Sequence, residues 1–174
     1  MTVQISKSAY IYADSLIQTD IERNVVSDNL NVISSIINSS VDLRKIMINP
    51  TAALDKKYEI LEEVFKNQID ERIINFLKVL VSKNKFGEFE QIKEAYFKIN
   101  DDINNIKRVD IISAVELSEE QKSKTLEKLK NKYQKEIIAN WISDSDIIGG
   151  LIIKTEDDIT DNSIRNKLNR LSKI

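Results

Sequence analysis

The sequence predicts a mainly helical protein, with an N-terminal six-helix bundle followed by a small α+β domain. Apolar residues recur every three or four positions as far as about residue 105, which is the helical period, and strand-like alternation begins only beyond it. With only 3 glycines and 1 proline in 174 residues, the chain has too few turn formers for a loop-rich β sandwich. We therefore expect two domains, residues 1–105 and residues 106–174.

The first three helices are each predicted by an apolar stripe and an end signal. In the first helix two adjacent stripes share one broad face: Ile5, Ala9, Tyr12 and Leu16, and Tyr10, Ala13 and Ile17. Asp20 is placed to cap the second helix. The third begins near Val41 and must end at Asn49, because Pro50 disfavours helical geometry in the residue before it.

Three further helices complete the predicted bundle. Pro50 suits the first turn of the fourth helix, whose buried stripe is Leu54, Tyr58, Leu61 and Phe65. The fifth helix, residues 69–81, is apolar almost all round, with two stripes and Val79 on neither. The sixth runs from Phe89 to Ile106 with apolar spacings of three and four.

The C-terminal domain mixes strands and helices. Alternation from Val109 to Val115 predicts a strand, and Ser118-Glu-Glu-Gln121 is a capping box that begins a helix. Two β-branched runs, residues 137–142 and 147–154, are joined by Ser-Asp-Ser-Asp, which predicts a hairpin. Asp161 or Ser163 caps the last helix.

Composition excludes most enzyme chemistry. The chain has no cysteine and no histidine, which removes disulfides, thiol nucleophiles, imidazole bases and nearly all zinc sites. A net charge of −2 gives no electrostatic reason to bind nucleic acid. No stretch approaches the ~18 to 20 apolar residues of a membrane span, and the N-terminus has no secretory apolar region. We expect no catalytic residues, cofactor or metal.

The fifth helix carries the clearest candidate site. It has more apolar surface than one neighbour in a bundle covers, so it is either the central helix of six or the wall of an open groove. In the second interpretation, this helix and the first form a groove for a partner's amphipathic helix. Asn75 and Val79, four residues apart, would lie on its lip.

Other patterns have plainer interpretations. Gly149-Gly150 interrupts an isoleucine-rich run, which predicts a bulge or a close approach of the neighbouring helix. Trp141 is a core residue or an interface anchor. A solvated turn or helix face explains the acidic and basic clusters, namely Asp144, Asp146, Glu156, Asp157, Asp158 and Asp161, and Lys122, Lys124, Lys128, Lys130, Lys132 and Lys135.

Several motifs together resemble one known family over nearly the whole chain. They are Tyr12-Ala13, Asn49-Pro50 with Lys56 or Lys57 after it, Ser82-Lys-Asn-Lys-Phe86, Val109-Asp-Ile-Ile-Ser-Ala-Val-Glu-Leu117, and Asp146-Ile-Ile-Gly-Gly-Leu-Ile-Ile-Lys154 followed by Asp161-Asn-Ser-Ile-Arg-Asn-Lys-Leu168. With the six-helix count and order, this set resembles the delta subunit of F-type ATP synthases, the family of the oligomycin-sensitivity-conferring protein.

The resemblance implies a non-catalytic stator subunit that links the catalytic head to the peripheral stalk. It implies that the helical domain binds the N-terminal helix of an alpha subunit between its first and fifth helices, and that the C-terminal domain binds two b-type stalk subunits. By the same resemblance Tyr12, Ser15, Asn75 and Val79 contact alpha, while Gly149 and Gly150 support the stalk-binding domain.

The implied location is peripheral, on the cytoplasmic face of a bacterial energy-transducing membrane or the stromal face of a thylakoid. The residues leave open a different class of function, a stand-alone helical adaptor or regulatory protein that uses the same groove. An enzyme is a third alternative, which metal-dependent turnover would indicate.

Overall fold

The computed structural model describes residues 5–155 and 158–171, and it is mainly helical with a small four-stranded sheet. The chain divides after Asn100 into two compact units, which we call the helical unit and the mixed unit. The helix Phe89–Ile103 continues beyond that division. None of the described helices combines the length and the apolarity that a bilayer crossing requires.

Residues 7–103 form α-helices joined by short connections. A 3-10 turn, Phe86–Glu88, precedes the last of them. The helices are α1 Lys7–Ile17, α2 Arg23–Ser39, α3 Val41–Ile48, α4 Leu54–Phe65, α5 Glu71–Ser82 and α6 Phe89–Ile103.

Three helix starts in this part of the chain follow capping chemistry, whereas α2 and α4 begin without a side-chain capping bond. The side chains of Ser6, Ser40 and Asp70 accept hydrogen bonds from the first turns of α1, α3 and α5. α2 instead begins after Glu22, whose side chain makes no capping bond. The prediction that Asp20 caps α2 is therefore wrong, and the Asp20 carboxylate pairs with Arg72 instead.

Pro50 lies in a turn between α3 and α4, and not in the first turn of a helix as predicted. The side chain of Asn49 accepts hydrogen bonds from the backbone N–H and the hydroxyl of Thr51, at 2.9 and 2.8 Å. This local bonding competes with helix formation, so α4 begins only at Leu54.

α4 buries most of the predicted stripe, because Leu61 and Phe65 are buried and Tyr58 packs half-buried against the core. Lys57, Leu61 and Phe65 are buried, whereas Leu54 is 45% exposed. Leu54 is the first residue of α4. Lys57, about one turn further along, is the first buried residue of the helix. The rest of the core is apolar and includes Leu30, Ile33, Ile73, Leu77, Leu80, Ile92 and Tyr96.

The mixed unit contains β1 Ile106–Ser113, α7 Glu119–Tyr133, β2 Glu136–Ser143, β3 Leu151–Lys154, β4 Ile159–Asp161 and α8 Ile164–Leu171. Its sheet has the order β2-β1-β3-β4. β1 pairs in parallel with β2 and antiparallel with β3, and β3 pairs antiparallel with β4. α7 connects the parallel pair, and its start is the predicted capping box of Ser118 and Gln121.

The predicted hairpin between residues 137–142 and 147–154 is wrong, because β1 lies between β2 and β3. β1 is the most buried strand, with Val109 and Ile111 packed under Leu129 of α7, so it occupies a central position. Trp141 on β2 packs half-buried against this cluster, in register with Ile111.

Candidate partner-binding groove

α1 and α5 lie side by side and run antiparallel. The rings of Tyr12 and Phe76 meet edge to face, with centroids 6.4 Å apart and an interplanar angle of 73°. Further along, Asp20 follows the end of α1 and pairs at 3.0 Å with Arg72 in the first turn of α5. A later residue of one helix thus meets an earlier residue of the other, which defines the antiparallel direction.

The four residues assigned to alpha contact line this pair of helices. Tyr12 is half-buried against Phe76, and Ser15 is exposed one turn further along α1. Asn75 and Val79 are exposed on α5, on either side of Phe76 in sequence, and Val79 is 47% exposed. In the predicted groove, Tyr12 would lie at the base and Asn75 and Val79 on the α5 lip.

Sequence reasoning missed Ile11, the most exposed aliphatic side chain of α1. It is 63% exposed, beside Tyr12 and four residues before Ser15. Like Val79, it belongs to neither stripe of its helix. This shared property could have identified Ile11 from the sequence, because an aliphatic residue outside every buried stripe must face solvent or a partner.

The start of α1 is held to the turn before α6 by one carboxylate. Glu88 Oε2 accepts a hydrogen bond from Ser6 Oγ at 2.9 Å and another from Ser8 Oγ, and Glu88 Oε1 accepts one from Lys85 Nζ at 2.5 Å. The Lys85 hydrogen bond, followed by that of Ser8, lowers the pKa of Glu88 to about 2. This network joins the start of α1 to the turn before α6.

Glu88→Gln is expected to lower stability by about 1 kcal/mol at pH 7, because it removes the charged acceptor. A lowered pKa in the folded state stabilises the protein above the ordinary glutamate value and ceases to do so as pH falls toward 2. Urea unfolding of both proteins should therefore show a difference at pH 7 that shrinks below about pH 4.5. A difference that stays constant down to pH 2.5 would contradict this assignment.

The two glycines of the mixed unit lie just before β3, and not inside it. The segment that leads into α8 runs alongside them, with the N–H of Ile164 bonded to the carbonyl of Gly149 at 2.9 Å. A Cβ on Gly149 would stand 2.8 Å from Ile164 Cδ1, and one on Gly150 only 2.5 Å from the carbonyl oxygen of Asn162. The predicted close approach of a helix is confirmed at Gly149, where Ile164 is the first residue of α8, whereas Gly150 is approached by the backbone just before that helix.

Ion pairs involve part of the basic run on α7. Lys122 pairs with Glu119 at 2.8 Å and Lys124 with Glu120 at 2.6 Å, as expected of a solvated helix face. Within residues 5–155 and 158–171, no group of three or more acidic side chains is placed to hold a metal ion. Two members of the predicted acidic turn, Glu156 and Asp157, lie outside the described residues.

Comparison with known proteins identifies the family of this chain. The family model described as the ATP synthase delta (OSCP) subunit matches residues 9–174. The chain belongs to this family. Over 163 residues it is 34% identical to the ATP synthase subunit delta of Chlorobium chlorochromatii strain CaD3, which covers 92% of this chain and 91% of that protein.

Other relatives agree. The chain is 31% identical over 166 residues to the ATP synthase subunit delta of Clostridium botulinum strain Loch Maree, with 94% of this chain and 93% of that protein covered. A chain in the mitochondrial ATP synthase hexamer of Toxoplasma gondii superposes with a TM-score of 0.67, at 14% identity and 97% coverage of both chains. At that identity the structural match shows a shared fold.

Membership of the delta family confirms the function that the sequence motifs implied. The chain is a non-catalytic stator subunit of an ATP synthase, and it is peripheral to the membrane. The stand-alone adaptor and the enzyme are thereby set aside.

Proposed function

We propose that the chain links the catalytic head to the stalk by binding the N-terminal helix of an alpha subunit in the groove between α1 and α5. The observation that carries this proposal is the antiparallel pair itself, in which Tyr12 and Phe76 form an aromatic floor. Ile11 and Val79 expose aliphatic surface on the two walls. An amphipathic helix binds such a surface by its apolar face.

The polar residues around the groove suit a helix-binding rim. Ser15 and Asn75 are exposed on opposite walls, and the Ser15 hydroxyl donates to the Tyr12 carbonyl at 2.6 Å, which leaves its lone pairs free to accept. An apolar centre with a polar rim is the usual anatomy of a specific interface. Such an interface resists rotor torque without a covalent or metal link.

The mixed unit, by the same proposal, binds two b-type stalk subunits, with Gly149 and Gly150 supporting its shape. Several of its aliphatic side chains are exposed, including Ile148 and Ile159 at 64% and 63%, and they offer apolar surface for helical partners. In this arrangement the six helices of residues 7–103 act as the head-binding bundle. The site of action is the cytoplasmic face of a bacterial membrane, or the stromal face of a thylakoid.

Val79→Arg and Val79→Asp are each expected to weaken binding to the head by about 2 kcal/mol or more, because both bring a charge into an apolar contact. The measurement is calorimetric titration of the full chain into a head that lacks this subunit. Val32→Arg is the matched control, since Val32 lies on α2 and is 36% exposed, and its affinity should be unchanged.

Testing a positive and a negative side chain at position 79 distinguishes the loss of an apolar contact from an electrostatic effect. If one sign weakened binding and the other strengthened it, the contact would be electrostatic and the apolar groove would be the wrong site. A head without the alpha N-terminal segment should not bind the wild-type chain tightly. Full affinity of both Val79 variants, with native circular dichroism, would overturn the proposal.

A further inference from the structure

β2 forms one edge of the sheet in the mixed unit. Its eight residues, Glu136–Ser143, pair along their whole length with β1, and the sheet order places no described strand on the other side. An edge of this length presents a row of backbone N–H and C=O groups that another extended segment can pair with.

The hydrogen bonds at the two ends of β2 show which backbone groups point outward. The N–H of Glu136 donates to the carbonyl of Asn105 at 2.9 Å, and the N–H of Asp144 donates to that of Ser113 at 2.8 Å. Because backbone direction alternates along a strand, the even-numbered residues of β2 face β1. The outward groups belong to Ile137, Ala139, Trp141 and Ser143.

Three of the usual protections of an edge strand, namely proline, lysine and a bulge, are missing from β2. Proteins block exposed edges with proline, lysine, bulges or a covering segment, and residues 136–143 contain neither proline nor lysine and pair with β1 without a bulge. Ile138 and Ile142 are 42% and 39% exposed on the sheet face opposite α7. An added strand with β-branched side chains opposite them would bury both.

The charges at the two ends of β2 indicate which kind of segment can bind at this edge. Glu136 and Asp144 are exposed, neither forms an ion pair among the described residues, and the nearest lysine in sequence, Lys135, is paired with Asp102 at 3.0 Å. A second copy that set Ile138 against Ile142 would also set Glu136 against Asp144 at both ends. Like charges directly opposite are destabilising, so the edge disfavours its own copy.

We propose that the β2 edge binds an extended partner segment by antiparallel strand addition. The segment carries Lys or Arg opposite Glu136 and Asp144, and β-branched apolar residues opposite Ile138 and Ile142. A small polar residue lies opposite Asn140. This surface is separate from the α1 and α5 groove, and its use does not depend on alpha binding there.

The direct test is a synthetic peptide with that pattern, Lys-Thr-Ile-Thr-Asn-Thr-Val-Thr-Lys, added to the full chain. Trp141 is the only tryptophan and lies on β2, so its fluorescence reports binding at the edge. We expect saturable 1:1 binding that weakens as salt is added. The amide protons of Ala139 and Trp141 should exchange more slowly in the complex.

Two sets of variants tie the binding to the edge. Ala139→Pro removes an outward N–H while the bonds to β1 remain, so it should weaken the peptide about tenfold or more. Exchanging both end charges, Glu136→Lys with Asp144→Lys, should reverse the preference toward a peptide with glutamate at both ends. The charge exchange keeps the test valid if the proline variant fails to fold.

Three outcomes would overturn the proposal: no fluorescence change with the lysine-ended peptide, equal binding by a peptide with proline at its centre, or an unchanged preference in the charge-exchanged variant. Self-association of the full chain through β2, measured by analytical ultracentrifugation and abolished by Ala139→Pro, would instead assign the edge to a second copy.

Discussion

Gly150→Ala is expected to destabilise the mixed unit by about 2–4 kcal/mol, the largest effect of any single methyl group that we can identify. Gly150 has a φ of 88°, a conformation that L side chains rarely adopt. The added Cβ would also stand 2.5 Å from the carbonyl oxygen of Asn162 and 2.9 Å from Ser163 Cα. Both obstacles are backbone, so no side-chain rotation relieves them.

The segment that would be displaced holds α8 in place. Asn162 donates its N–H to the carbonyl of Leu151 at 3.0 Å, and Ser163 Oγ caps α8 by accepting from the N–H of Asn166 at 3.2 Å. Moving this segment to admit a Cβ therefore disturbs the end of the sheet and the start of α8 together. This coupling is the reason to expect more than the cost of backbone strain alone.

Urea unfolding followed by Trp141 fluorescence measures this effect, because the only tryptophan lies in the mixed unit. Gly87→Ala, in the helical unit, is the control, and its unfolding is followed by far-ultraviolet circular dichroism. A Cβ there would meet Ile48 Cδ1 at 3.7 Å, which is ordinary contact, so its stability should change by less than about 1 kcal/mol. Equal unfolding midpoints for wild type and Gly150→Ala would show that the backbone at Asn162 shifts to admit the Cβ without loss of stability.

Periodicity predicted the helices well where one face is apolar and a cap is present. α3 ends before Pro50 as expected, and α7 begins at the capping box of Ser118. Helix starts that lack capping chemistry were predicted at the wrong residues. Asp20, for example, pairs with Arg72, which is distant in the sequence, and does not cap α2. A pairing partner distant in sequence leaves no trace in the local pattern.

Sheet order was the feature that local sequence could least supply. Residues 137–142 and 147–154 have the composition of a hairpin, yet β1 lies between them. A turn signal indicates that the chain reverses, and it does not say which strand lies alongside. The burial of Val109 and Ile111 on β1 decides the order, and burial is a property of the assembled sheet.

The candidate groove was predictable in part. Surplus apolar residues on the fifth helix indicated an exposed face, and Val79 is indeed exposed. The antiparallel contact of Tyr12 with Phe76 required the structure, because the spacing of each helix says nothing about which helices are neighbours. The assignment of these residues to alpha binding remains a proposal.

Lys57 illustrates a different limit of prediction from sequence, because a lysine in an amphipathic helix is ordinarily expected on the solvent-exposed face. Its side chain is 1% exposed in the helical unit, on the same face of α4 as Leu61 and Phe65. The ammonium group donates to the carbonyl of Met47 in the last turn of α3, at 3.1 Å. That carbonyl has no partner within its own helix, so Lys57 joins α4 to the end of α3.

Lys57→Ala is expected to destabilise the helical unit by about 2–4 kcal/mol, because it leaves a cavity and strips a buried carbonyl of its donor. Lys57→Met keeps most of the stem volume and should cost about 1–2 kcal/mol, which isolates the hydrogen bond. Lys56→Ala, on the exposed face of α4, is the matched control and should change stability by less than about 0.5 kcal/mol. Urea unfolding followed by far-ultraviolet circular dichroism gives all three values, and a Lys57→Met variant more stable than wild type would show that burying the ammonium costs more than its bond to Met47 returns.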